Sequence, residues 1–244
     1  MTDALTLVEE LRAQANPVRA EVERRYLKSD RPFFGCGVPA VRAAVRRREA
    51  GLTQRAAVVE LARALWALPE HEALHAAVVV LGRKAKLLQM EDVPLLEQIL
   101  REGKTWALAD TLITSVMPTF LKTHPEATAV LDRWSTDPDF WVRRSAMLSL
   151  EPDLRRGKGD WERFVRYADG MLGEREFFIQ KCIGWVARSA GRRDPERLRR
   201  WLEPRITRIS RTSLVEALKP LEESEQRRLH AEWKAARPAR RTHG

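Results

Sequence analysis

The sequence predicts an all-α fold, a solenoid of stacked helix-turn-helix repeats, and three observations carry that reading. Apolar residues recur with the 3.6-residue period of helices along nearly all of the 244 residues, and no strand pattern becomes convincing. Pro69, Pro94, Pro118, Pro125, Pro138 and Pro152 punctuate the middle of the chain, mostly near predicted helix ends, as repeated helical hairpins require. Four pairs of residues four apart, His71/His75, Trp106/Asp110, Phe140/Arg144 and Phe177/Lys181, have second members separated by 35, 34 and 37 residues, each followed by small or apolar side chains. Stacked repeats bury one face and turn corresponding side chains toward one surface. On that reading His75, Asp110, Arg144 and Lys181 form a polar row along one wall, one acid among basic neighbours. A chance alignment of helical faces is the alternative.

Residues 3–15 and 17–28 read as two helices split at Asn16-Pro17, with the proline in a first helical turn. The stretch 30–39, with Pro32, Gly35, Gly37 and two adjacent Phe, is an irregular connection pinned by aromatic packing. Helices at 39–49, 53–67 and 70–87 follow, with a turn at Leu65-Trp66-Ala67-Leu68-Pro69. The pairs 91–102 with 104–120, 125–135 with 138–150, and 160–172 with 174–190 come next. Gly184 inside the last of these costs about 1 kcal/mol relative to Ala, which suggests close approach of another backbone or a ligand, with a simple packing glycine as the alternative. Shorter basic helices at 194–203, 211–219 and 223–236 precede a basic tail expected to be disordered, so that 1–236 forms one continuous repeat domain and 237–244 the tail.

The formal charge is +10, and of 44 basic residues only 9 are Lys, leaving 35 Arg, whose planar forks suit phosphate oxygens. Most of the excess lies in residues 191–244, where 15 basic side chains stand against 8 acidic ones. That is a polyanion-binding signature, with genomic base bias as the bland alternative. Cys36 and Cys182 make no disulfide framework and have no partner at ligand spacing, so no metal and no cofactor are expected. The first residues carry no basic leader before an apolar core, and no apolar run is long enough for a bilayer, so no signal peptide, no membrane and a cytoplasmic location are expected.

Within the 104–120 helix, Trp106 and Asp110 lie four apart and so share a face. A large aromatic surface and a carboxylate project the same way. Trp141 and Arg144 are three apart, and Lys181 and Trp185 four apart, so these pairs share faces as well.

These segments resemble the AlkD family of bacterial DNA glycosylases. The residues that carry the resemblance are Trp106 and Asp110 in Trp-Ala-Leu-Ala-Asp-Thr, Trp141 and Arg144 in Trp-Val-Arg-Arg-Ser-Ala, and Phe-Phe-Ile-Gln-Lys followed by Ile-Gly-Trp-Val around Trp185. Weaker similarity extends over nearly the whole chain, including Tyr26-Leu27-Lys28. The resemblance implies a superhelical solenoid of HEAT-like repeats with a concave basic surface, acting on double-stranded DNA containing alkylated bases. It implies excision of cationic purines alkylated at ring nitrogens 3 or 7, with Asp110 as catalytic carboxylate, Trp106 and Trp185 as aromatic walls, and Arg144 as a DNA-contacting helper. It also implies action without base flipping. The departures are Ala107, where relatives carry a polar residue, and a heavier arginine tail.

The residue types suit that chemistry. An alkylated purine already carries positive charge and leaves without a general acid, so the remaining task is to stabilise an oxocarbenium-like sugar, which a nearby carboxylate does electrostatically while orienting water. Tryptophan faces attract cations by roughly 0.5 to 2 kcal/mol each. Tyr26, Trp141, Arg143, Lys181, Arg188 and Arg211 are the further DNA-contact candidates, and a monomer is expected because one concave face can hold a duplex unaided. The competing expectations are a non-catalytic helical-repeat scaffold or a DNA-structure-binding protein using the same basic surface.

Overall fold

Every regular element among the described residues is helical, and no strand occurs among them, in a computed structural model that describes residues 3–236. These residues divide into two compact units between Arg133 and Trp134. The expected tail at 237–244 lies outside the described residues.

The first unit comprises α1 (Asp3–Arg12), α2 (Pro17–Leu27), α3 (Gly37–Arg48), α4 (Arg55–Trp66), α5 (His71–Arg83), α6 (Val93–Gly103) and α7 (Trp106–Thr123), and α8 (Thr128–Trp134) reaches the boundary. In α1 the buried residues Ala4, Leu7, Val8 and Leu11 follow the helical period and face α3 and α4. Helix α5 is the centre of the unit. Its residues from His71 to Leu81 are all buried, and it packs on α3, α4 and α7. A helix apolar on every side belongs inside, and each fully buried Leu74, Val78 and Leu81 contributes about 1.5–3 kcal/mol relative to exposure. Helix α2 is the opposite case, with no buried residue.

The connection before α3 is pinned by aromatic packing, as its composition predicts: Phe33 stacks on His71 with ring centroids 4.4 Å apart. A second device is non-local. The buried Glu72 carboxylate accepts hydrogen bonds from the backbone N–H of Phe34 (3.0 Å) and Gly35 (2.6 Å). Gly35 is required there, since its φ is +76° and a Cβ would meet the Asn16 carbonyl oxygen at 2.3 Å.

The second unit comprises α9 (Phe140–Leu148), α10 (Glu151–Arg155), α11 (Trp161–Met171), α12 (Phe177–Gly191), α13 (Pro195–Leu202), α14 (Arg211–Ala217) and α15 (Glu223–Ala235). Side-chain caps open several of these helices, among them Asp139, Asp160, Asp194 and Ser210, each worth about 1 kcal/mol against Ala. Helix α12 is central and packs on α9, α10, α13 and α14.

Several boundaries differ from the sequence expectation: α1 ends at Arg12 and α12 begins at Phe177, each three residues inside the expected bound, and three further differences have a local cause. Helix α5 stops at Arg83, and residues 85–87 form a separate 3₁₀ turn. Helix α7 continues past Pro118 to Thr123, because Thr114, whose carbonyl loses its usual N–H partner there, is exposed and open to water. Pro152 begins the short α10 at its N-terminus instead of ending its predecessor.

Candidate functional site

Helix α7 starts where Thr105 accepts the Ala107 N–H on its hydroxyl, at 3.4 Å. Trp106 is therefore the first helical residue, and Asp110 stands one turn further along the same face. Leu108, Ala109, Leu112, Ile113, Val116, Met117 and Phe120 bury the other side against the unit's core. Trp106 and Asp110 are both partly exposed, at the edge between that core and solvent.

Tyr26, at the end of α2 and 70% exposed, meets Trp106 edge-on, with ring centroids 5.9 Å apart and planes at 88°. Both rings line a cavity of about 160 Å³ together with Val38, Glu72, His71 and His75. Burial, with a smaller contribution from neighbouring positive charge, pushes both imidazoles down to about 4, so they are neutral near pH 7. The expected polar row changes here. His75 is only 6% exposed, so it belongs to the core of α5 and not to an accessible wall.

In the second unit, Arg144 is nearly covered, with Nη1 donating to the Phe178 carbonyl at 2.6 Å and its guanidinium 5.9 Å from the centre of the Trp185 ring. The arginine and the tryptophan named by the sequence are thus one contact, made between α9 and α12. Trp185 itself is partly exposed. Trp141 is buried against Phe140 and Phe178, at 4.7 and 4.8 Å between centroids, and presents little surface to a partner. Arg143 forks onto Glu174 at 2.9 and 2.7 Å and donates to the carbonyls of Asp137 and Pro138. Its donors brace the turn before α9.

Lys181 and Arg188 both pair with Glu216 of α14, the first at 2.8 Å. Burial, followed by the nearby Arg192 charge, lowers the Arg188 pKa. Arg211 is exposed at the start of α14. Among the described residues no group of His, Cys, Asp and Glu is arranged to hold a metal ion, and no helix is long and apolar enough to cross a membrane.

Residues 7–221 match the model of the DNA alkylation repair enzyme family. The chain belongs to that family. Its role is in the repair of alkylation damage, with DNA as the partner that membership suggests. The fold is also that of a solved structure described as a predicted DNA alkylation repair enzyme from Enterococcus faecalis, with a TM-score of 0.77 at 20% identity, covering 86% of this chain and 98% of that one. A second similar structure, smu.31 from Streptococcus mutans UA159, gives a TM-score of 0.54 at 14% identity over 93% of this chain and 97% of that one. No curated protein matches the chain.

Two residues of this family member escape a reading by helical period. Glu72 and Glu216 are buried carboxylates whose partners lie some 37 and 35 positions away in sequence, at Gly35 and Lys181. The signal that could have flagged them is an acid on an otherwise apolar helical face, as with Glu72 among the apolar residues of α5.

Proposed function

We propose that the protein is a DNA glycosylase that hydrolyses the N-glycosidic bond of N3- and N7-alkylated purines in duplex DNA, probing the lesion from the backbone side without flipping it. The observation that carries the reading is the pairing of Trp106 and Asp110 on the outward face of α7 in a member of a DNA alkylation repair family. Asp110 stabilises the oxocarbenium-like sugar and orients the attacking water. Trp106 offers its π face to the cationic base, and Arg144, held against Trp185, contacts DNA. The neutral state of His71 and His75 supports the same reading, because no imidazolium stands beside Trp106 to repel a positively charged purine. On this reading the protein works as a cytoplasmic monomer on the nucleoid.

The experiment is release of free base from duplexes carrying either 7-methylguanine or uracil. The reading predicts release of the cationic base and none of the uncharged one. Equal release of both, or of neither above the spontaneous rate, contradicts it.

A further inference from the structure

Gly184 occupies the middle of α12, and a Cβ built there would meet the Glu216 Cβ at 2.6 Å and the Ser213 carbonyl oxygen at 2.7 Å. The absence of a side chain is what lets α14 lie directly on α12. Lys181 is three residues before Gly184 and Arg188 four after, so both flank it on the same face of the helix. The Glu216 carboxylate, with its side chain only 7% exposed, is thereby delivered between two cations of α12. A third comes from its own segment: Lys219, whose Nζ lies 3.0 Å from Oε2 and 3.1 Å from Oε1.

One buried carboxylate thus gathers three cations, a local excess of two positive charges. A pairing built only for stability needs one cation per acid. The side chains of Lys181 and Lys219 remain 46% and 53% exposed, so both ammonium groups keep donors toward solvent. An ammonium group has three donors, and the carboxylate satisfies only part of them. The Arg192 charge adds to the same field, since it is among the causes that lower the pKa of both Arg188 and Lys219. Glu151 offsets part of that field at Arg188, while the two lysines face solvent.

We propose that Lys181, Arg188 and Lys219, gathered on Glu216, form a seat for one phosphodiester group, and that Glu216 is the positioning residue of that seat. The inference rests on DNA being the partner. Its consequence runs against simple charge counting. A carboxylate beside DNA repels phosphate, so its removal by itself strengthens binding to any polyanion. As the anchor of the seat, Glu216 instead holds together three like charges that otherwise splay apart, and its loss weakens binding.

The test uses the full chain and two probes. Inorganic phosphate is titrated against the side-chain Nζ signals of Lys181 and Lys219, and binding to an undamaged duplex is measured as a function of salt. For the wild type, phosphate shifts both ammonium signals saturably. Glu216→Gln abolishes that response and weakens duplex binding several-fold at a temperature where the variant is fully folded. Lys219→Gln, an exposed change that cannot disturb the core, lowers the salt slope by about 0.9, the value for one phosphate contact. Tighter duplex binding by a folded Glu216→Gln, or an unchanged salt slope in Lys219→Gln, overturns the seat. If the wild type has no affinity for duplex DNA, the DNA reading fails, and the phosphate titration alone decides whether the seat exists.

Discussion

Arg143 makes four guanidinium hydrogen bonds within its own unit: two to Glu174 and two to the carbonyls of Asp137 and Pro138, with its side chain 18% exposed. Arg144, its neighbour, is held between the Phe178 carbonyl and the Trp185 ring. Adjacent arginines thus point to different tasks, because successive residues of a helix lie about 100° apart. Arg143→Ala leaves Glu174 and two carbonyls without their donor, at a cost of about 2 kcal/mol for a partly buried, charge-assisted network. Urea unfolding checks this, and the salt slope of DNA binding serves as its partner measurement. We expect lower stability and an unchanged slope; a changed slope with unchanged stability would restore Arg143 to the DNA contacts. The distinction was invisible in the sequence, since both residues are arginines at positions facing a repeat interface. What decides between them is Glu174, a partner 31 positions away.

At the scale of the element, α12 and α5 each make a prediction. In α12, Gly184→Ala gains about 1 kcal/mol of helix propensity but drives a Cβ into backbone and Cβ atoms of α14 that cannot swing aside. Overpacking of this kind costs about 1–3 kcal/mol, and with two contacts under 3 Å the clash outweighs the gain, leaving the variant less stable by up to about 2 kcal/mol. Denaturant titration showing a more stable variant would mean that α14 does not press on α12. The sequence marked Gly184 as a point of close approach, and the approaching backbone is that of Ser213.

In α5, His71 and His75 have folded-state pKa values of about 4, below the ordinary 6.5. The unfolded chain therefore binds protons between pH 6.5 and 4 that the folded chain refuses. Stability from this source is complete above pH 6.5, is lost as the pH falls toward 4, and changes no further below that; such a displacement is worth on the order of 3 kcal/mol per imidazole. The double variant His71→Asn/His75→Gln should show a flatter decline of unfolding free energy between pH 6.5 and 4 than the wild type. Parallel curves would place the imidazoles in water. The helical period correctly put these residues in a helix, but four-residue spacing alone did not say which side of α5 was covered. Every side is.

Across the whole molecule, an all-α chain with helices close to the expected positions was legible because a helix is a local object, fixed by apolar period, caps and prolines that lie within a few residues of one another. The Trp106–Asp110 pair was legible for the same reason. The fate of the positive charge was not. A net charge of +10 says that cations outnumber acids, yet the ion pairs that engage Arg143, Lys181 and Arg188 join residues from different helices or turns. Composition supplies the long-range attraction to a polyanion, while folding decides which cations are positioned and by what.

On the proposed function, Asp110 is the catalytic carboxylate. Its most direct test is single-turnover release of 7-methylguanine from duplex DNA, comparing the wild type with Asp110→Asn at one fixed salt concentration, since affinity depends steeply on salt. The amide keeps the shape and removes the charge. We predict that the variant binds the duplex at least as tightly as the wild type and releases base about 10²-fold or more slowly, the scale seen when a preorganised electrostatic group is removed from an active site. Undiminished release by an Asp110→Asn protein that still binds DNA would contradict the assignment and move the chemistry away from α7.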